Sequence, residues 1–388
     1  NIDALGHAGV IGLSDNVPPT LTAASDVATL SLLGYDPLEV YTGRAPLEAA
    51  AMGIPLGPDD WAIRCNLIHV SGGKMTDFTA GHITSEDGAP LVGALQNALG
   101  GPIAAGEDYP AGTLEFHPGV SYRNLLVFRG SPGAAPFGKE TKTQPPHDVP
   151  DRPAVDHLPK GPGSGLLRLL MEKSKAIFAN HPVNVARRAA GKRDATQCWL
   201  WGQGKAPSLE VFSKKYGKKG AMISAVDLVR GVGCLIGFKR IDVPGTTGYL
   251  DTDYAAKGRY AIEALREFDL VCVHVEAPDE ASHEGKPAAK VEALERIDTD
   301  IVGPIREALK AYPQWRVLIT PDHRTTLKTR AHAHGAVPFV VSGTGVAGHG
   351  QSGYTEAVAA GGPVKIGRGH RLMSHFLADT FPAQLIES

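Results

Sequence analysis

The chain has 388 residues, 43% of them hydrophobic and 21% charged, with 39 Lys and Arg against 41 Asp and Glu for a formal net charge of −2. This composition supports a sizeable core in one large domain or two ordinary ones and excludes wholesale disorder. The even charge balance excludes the basic footprint of a nucleic-acid binder and a polybasic membrane patch. No uncharged apolar run reaches the roughly 18 residues of a spanning helix. Cys65, Cys198, Cys234 and Cys272 are scattered without a C-x-x-C pair, which argues against a disulfide framework or a cysteine zinc site and for a reducing, cytoplasmic setting.

In chain order, Asn1-Ile2-Asp3-Ala4-Leu5 reads like the interior of a helix, with no leader pattern ahead of it. Ser25 to Leu33 reads as a helix closed by Gly34, followed by a turn-rich stretch with Gly53, Pro55, Gly57 and Pro58. Strands are predicted at 62–70, 113–117 and 124–129, joined by loops rich in Gly and Pro. Alternation of strand and helix resumes near Cys198-Trp199-Leu200-Trp201. It continues with a strand at 270–275, a helix at 288–309 and strands at 316–320 and 337–341. The helix carries Val291, Leu294, Ile297, Ile301 and Ile305 on one face and a kink at Pro304. The pattern predicts an α/β fold with a mostly parallel sheet sandwiched by helices, formed by 1–58 and 193–388. A smaller α+β domain is expected as an insertion over 59–192.

Three clusters and one serine could carry chemistry, and ligands of open α/β sheets gather at the carboxyl ends of strands. In Ala277-Pro278-Asp279-Glu280-Ala281-Ser282-His283-Glu284-Gly285, one helical turn puts Asp279 and His283 on the same face, a partial shell for Mn²⁺ or Zn²⁺. An acidic helix start fits the same residues. Thr320-Pro321-Asp322-His323 ends a strand, where both side chains can reach one ion, and a plain Pro-Asp turn is the competing reading. His332-Ala333-His334 follows closely enough to complete a shell, although a lone histidine there would be a surface residue. Ser25 opens a helix after small residues, either as its cap or as a nucleophile receiving phosphate at the helix N-terminus. Together, Asp279, His283 and His332 could hold one ion while Asp322 and His323 help hold a second beside Ser25, an arrangement suited to moving a phosphoryl group.

With these residues in view, the chain resembles the cofactor-independent phosphoglycerate mutases of the archaeal type, within the alkaline phosphatase superfamily. The likeness runs through Ser25-Asp26-Val27-Ala28, Leu33-Gly34-Tyr35-Asp36-Pro37, Tyr41-Thr42-Gly43-Arg44, Pro146-His147-Asp148, His181-Pro182-Val183-Asn184 and Trp199-Leu200-Trp201-Gly202. It continues through Ile223 to Leu228 and Val243 to Tyr249, and is densest in His274 to Gly285 and Thr320 to His323. The resemblance implies an isomerase of glycolysis and gluconeogenesis that interconverts 3-phosphoglycerate and 2-phosphoglycerate through phosphoserine at Ser25. It implies an alkaline-phosphatase-like fold and no requirement for 2,3-bisphosphoglycerate. Two divalent ions are expected, Mn²⁺ first with Zn²⁺ or Mg²⁺ as alternatives. Asp279, His283 and His332 fall on the ligands of one ion; Asp322, His323 and Ser25 fall on those of the other. Lys257 matches the family's active-site lysine, and Arg123 and Arg187 are the candidates for binding substrate. The expected partner is a small-molecule phosphoglycerate, with no nucleic acid and no membrane.

The same serine and ions would also serve a phosphomonoester hydrolase or a homoserine kinase-like phosphotransferase, and a non-catalytic metabolite-binding relative is a third possibility. Two departures from the family stand out. Ala24 replaces a common glycine before the serine, and no residue here matches a metal-binding Asp of the family's first strand, for which Asp3 and Asp15 lie too late. The expectation is that roughly 20 to 40 residues carrying that Asp precede Asn1 in the natural protein. The chain as it stands is expected to be poorly soluble or inactive, holding one ion firmly and the second weakly.

Overall fold

The apolar runs pair into sheets within two separate units of the chain, in a computed structural model that describes residues 1–387. The first unit comprises Asn1–Tyr41 and the chain from Ser208 onward; the second is Thr42–Pro207.

In the first unit a five-stranded sheet runs in the order Arg316–Ile319, Val337–Gly343, Val10–Ser14, Val364–Ile366, Leu385–Ile386. Val10–Ser14 lies antiparallel to Val337–Gly343 and parallel to Val364–Ile366, while Arg316–Ile319 is antiparallel to Val337–Gly343. A second, wholly parallel sheet holds Leu270–Val273, Gly220–Ile223 and Lys239–Arg240. The expected mostly parallel sheet is therefore mixed. The link from Arg316–Ile319 to Val337–Gly343 contains only a hairpin, and a connection without a crossover helix returns the chain antiparallel. Among the described residues Leu270–Val273 and Arg316–Ile319 each pair with one strand only, and both line a cleft of about 1710 Å³, so their side chains are half-buried.

The helix expected at 288–309 forms in three parts: Pro287–Arg296, a π-helical turn over Ile297–Val302, and Gly303–Leu309. Pro304 has no N–H to give the Asp300 carbonyl, and the preceding turn widens. That carbonyl lies against Gly258, where a Cβ would stand 2.6 Å from it. The apolar face is only partly covered, for Ile301 is buried while Val291 and Leu294 are exposed.

The second unit is built on an antiparallel sheet. Its long central strand, Trp61–Ser71, pairs with Arg123–Arg129 and Gln197–Lys205, and the sheet continues through Gly112–His117 to Gly101–Ile103. Helices Ser85–Leu99 and Ser164–Ala179 contribute Leu91, Leu95, Leu167 and Met171 to a core with Ile63, Leu126 and Trp199. Gln197–Lys205 thus closes this sheet rather than resuming the alternation of the first unit. The helix Ala45–Ala51 also packs here, setting Ala45 and Ala49 against Ala62 and Leu125. These two elements are why the unit is wider than the insertion expected at 59–192. Among the described residues no helix is long and apolar enough to cross a membrane.

Candidate active site

All seven residues expected to form the phosphoryl-transfer centre belong to the first unit. Ser25 is the first residue of the helix Ser25–Leu32, whose N-cap is Ala24. Its hydroxyl therefore does not cap the helix; Oγ lies 3.1 Å from His323 Nε2. Of the two readings of this serine, the cap is the one the geometry excludes.

Asp279 and His283 occupy the helix Ala277–His283, started by Pro278 at its first turn. The i, i+4 spacing brings His283 Nε2 to 3.0 Å from Asp279 Oδ2. Asp322 and His323 lie on the turn after Arg316–Ile319, with their nearest side-chain atoms 3.4 Å apart. Asn16, at the end of Val10–Ser14, donates Nδ2 to the Asp322 carbonyl and fixes this turn. His332 comes from a two-stranded hairpin, Arg324–Thr326 with Ala331–Ala333, in which it stands opposite Thr325. Thr325 Oγ1 donates to Asp279 Oδ1, and His332 Nε2 is 3.4 Å from the same oxygen. The rings of His323 and His332 are 4.1 Å apart, so the two expected ligand sets share a border at His332.

The donors suit cations. His283 Nδ1 donates to the Arg330 carbonyl and His332 Nδ1 to the Ala23 carbonyl. With those hydrogens committed, the neutral rings turn the lone pairs of both Nε2 atoms towards each other at 2.9 Å. Two lone pairs beside a carboxylate need a shared proton or a metal ion. Donor atoms of Asp279, His323 and His332 lie within 4.8 Å of one another. Asp322 Oδ2 is buried without a hydrogen-bond partner among the described residues. Imidazole nitrogen with carboxylate oxygen, and no thiolate in the group, suits Mn²⁺ or Zn²⁺ and suits Mg²⁺ less well.

Burial pushes the Asp279 carboxyl up, but His332, Thr325 and His283 outweigh it and hold the group at about 2, fully ionised near neutrality. Burial lowers His332, but the Asp279 carboxylate overcomes that and raises it. Glu276, three residues before Asp279, is pushed to about 8 by burial and by the charges of Asp279 and Asp322. It forms a second acidic group with Asp279 and Glu280 that motif reading passed over, although its place just past a strand end was a usable signal.

Lys257 lies fully buried on the helix Tyr254–Ala264. Its Nζ donates to the His274 carbonyl at 2.9 Å, and His274 Nε2 is 3.3 Å from Glu276 Oε2. Burial lowers its ammonium to about 8, against the opposing pull of Glu276. His334 Nε2 donates to the Leu21 carbonyl, and His334 is not among the grouped donors.

The two candidate arginines fall in the second unit. Arg123 is exposed at the start of Arg123–Arg129 and stacks on Tyr122 at 4.4 Å. Arg187 is different. Its guanidinium bonds Asp87, the Arg193 carbonyl and the Ala80 carbonyl, and its side chain is only 4% exposed. These bonds tie its helix to neighbouring segments, so Arg187 braces the second unit from within, whereas Arg123 leaves its guanidinium at the surface.

A family model described as 2,3-bisphosphoglycerate-independent phosphoglycerate mutase matches residues 7–184. The chain is 44% identical over 379 residues to the protein of that name from Methanothrix thermoacetophila, an alignment spanning 97% of this chain and 92% of the other. It is also 44% identical over 374 residues to 2,3-bisphosphoglycerate-independent phosphoglycerate mutase 2 from Methanothermobacter thermautotrophicus, spanning 96% and 89%. Among solved structures, a Pyrococcus horikoshii protein aligns over 99% of this chain and 91% of its own, with a TM-score of 0.77 and 27% identity. The cofactor-independent phosphoglycerate mutase from Thermoplasma acidophilum shares the fold at a TM-score of 0.63 and 23% identity, over 97% of this chain and 90% of its own.

Proposed function

Because the chain belongs to the 2,3-bisphosphoglycerate-independent phosphoglycerate mutase family, we propose that it is an isomerase interconverting 3-phosphoglycerate and 2-phosphoglycerate through phosphoserine at Ser25. The reading needs no 2,3-bisphosphoglycerate. The observation that carries it is the uncapping Ser25 hydroxyl at a helix start, 3.1 Å from His323 and beside a group of donors with facing lone pairs. An alkaline-phosphatase-like arrangement of the first unit and a cytoplasmic site of action go with this reading.

In the first half-reaction Ser25 Oγ bonds to phosphorus as the bond from phosphorus to the substrate's hydroxyl oxygen breaks. The serine gives up one proton and the departing hydroxyl gains one. In the second half the neighbouring hydroxyl of the retained glycerate takes the phosphoryl group, and Ser25 is regenerated. The backbone N–H groups of the Ser25–Leu32 helix favour the phosphate dianion. Asp279, His283 and His332 would hold one divalent ion, and Asp322, His323 and Ser25 the other. Bound ions, Mn²⁺ before Zn²⁺ or Mg²⁺, would neutralise the transferring oxygens and lower the serine's pKa. Lys257 is the proposed proton-carrying cation of the centre, and Arg123 a proposed substrate ligand.

Ser25→Ala in the metal-loaded protein tests the mechanism. The substitution should abolish both mutase turnover and the phosphopeptide that contains residue 25. Retained turnover would refute the phosphoserine, and release of free phosphate by the unaltered protein in place of 2-phosphoglycerate would identify a hydrolase instead.

A further inference from the structure

One hydroxyl of the first unit touches both proposed ligand sets and belongs to neither. Thr325 lies on the hairpin of Arg324–Thr326 with Ala331–Ala333, directly opposite His332, so the two side chains share a face. It is only 8% exposed. Its Oγ1 donates to Asp279 Oδ1 and lies 3.3 Å from His323 Nδ1. A hydroxyl has one hydrogen to give and lone pairs to accept with, so donation to Asp279 leaves Oγ1 an acceptor towards His323. The His323 ring fits that role. Its Nδ1 is also 3.3 Å from the Arg324 carbonyl, which can only accept, so Nδ1 carries the hydrogen. In the neutral ring Nε2 is then left with its lone pair facing Ser25 Oγ at 3.1 Å.

A neighbouring helix holds the backbone of Thr325 in turn. Lys290, on Pro287–Arg296, donates from Nζ to the Thr325 carbonyl at 3.2 Å and to Ser282 Oγ at 2.7 Å. Ser282 passes its own hydrogen to the Pro278 carbonyl within Ala277–His283. At the turn of the hairpin Arg330 adopts a left-handed φ of 53°, and its carbonyl accepts from His283 Nδ1. The helix that carries Asp279 and His283 is therefore tied to the hairpin at several points. Of these ties, the Thr325 hydroxyl reaches a member of each ligand set.

We propose that Thr325 is a positioning residue of the phosphoryl-transfer centre, its hydroxyl setting Asp279 and His323 in one arrangement before an ion arrives. The inference rests on reading that centre as a two-ion site. With Oδ1 held by Thr325, Asp279 keeps Oδ2 beside His283 Nε2 at 3.0 Å, and His323 keeps its acceptor nitrogen towards Ser25. A partner bonded to a ligand, and not to the ion, fixes that ligand's orientation and tautomer. Valine shares the β-branch of threonine. Thr325→Val therefore removes the hydroxyl while keeping the shape, and it leaves Asp279 Oδ1 and His323 Nδ1 each short of one partner.

Calorimetric titration of Mn²⁺ into the metal-stripped full chain tests this. Thr325→Val should weaken Mn²⁺ binding about tenfold or more, and Thr325→Ser, which keeps the hydroxyl, should stay within about threefold of the unaltered protein. Equal losses in the two variants, or full affinity in Thr325→Val with mutase turnover intact, would overturn the positioning role and leave the mutase standing. Loss confined to Thr325→Val in a protein that does not convert 3-phosphoglycerate would keep the role and refute the mutase reading. Failure of the unaltered protein to take up Mn²⁺ would refute the two-ion premise and the inference together. Nitrogen NMR of isotope-labelled histidines in the metal-stripped protein at about pH 8 gives a readout on the unaltered chain should Thr325→Val not fold. The signal missing from His323→Gln should be that of a neutral ring with its hydrogen on Nδ1, and a hydrogen on Nε2 would overturn the proposal.

Discussion

His283 Nε2 and His332 Nε2 face each other at 2.9 Å, and each ring has its other nitrogen's hydrogen committed to a backbone carbonyl. The arrangement favours a cation between the rings and fixes each tautomer in advance. Adding Mn²⁺ to metal-stripped protein is therefore expected to raise Tm. A ligand at 100 times its Kd contributes about 2.7 kcal/mol. His332→Ala should erase most of that rise, because His332 borders Asp279, His283 and His323 alike. Identical melting curves in Mn²⁺ and in chelator would show that no ion binds here.

The two proposed ion sites should differ in strength. Asp279, His283 and His332 give one a carboxylate and two imidazoles, whereas Asp322, His323 and Ser25 give the other a carboxylate, one imidazole and a hydroxyl. After exhaustive desalting, metal analysis should find about one ion per chain, lost in His283→Ala. Two retained ions of equal affinity would contradict the ranking.

Lys257 gives a pH prediction. Its folded-state pKa of about 8 lies below the ordinary 10.5, so the unfolded chain binds the proton more tightly. The cost to stability is complete below pH 8 and fades as pH rises towards 10.5. Lys257→Met should remove that upward slope and stabilise the fold at pH 7 by about 1–2 kcal/mol, after loss of the bond to the His274 carbonyl. The same variant should lose mutase activity. Denaturant titrations between pH 7 and pH 10 check this, and an unchanged slope would contradict it.

Arg187→Met should act on stability. Asp87 is partly solvated, but the Ala80 and Arg193 carbonyls would lose their donor together, and buried acceptors left without one cost about 1–3 kcal/mol. The fraction that still folds should keep its KM for 3-phosphoglycerate. A large rise in KM with unaltered denaturation would instead make Arg187 a substrate ligand.

Much of the centre was readable from residue order, because its parts are local. Asp279 and His283 meet through one helical turn, Asp322 and His323 are adjacent, and hydrophobic period and turn residues located the flanking strands and helices. What those patterns carry is which face of an element is buried. They do not carry which edge a strand presents to which partner. Residues 197–205 have the same apolar character in either unit, and only pairing with Trp61–Ser71 assigned them to the antiparallel sheet. The hairpin register that sets His332 opposite Thr325, and so beside Asp279, was likewise settled by tertiary contact. The arginines make the point most sharply. Arg123 and Arg187 are alike in sequence, and a guanidinium's role depends on which acceptors reach its donors. Arg187 is saturated by carbonyls and Asp87, whereas Arg123 is exposed and stacks on Tyr122. That difference arises only when segments far apart in the chain, such as 80–87 and 187, pack together.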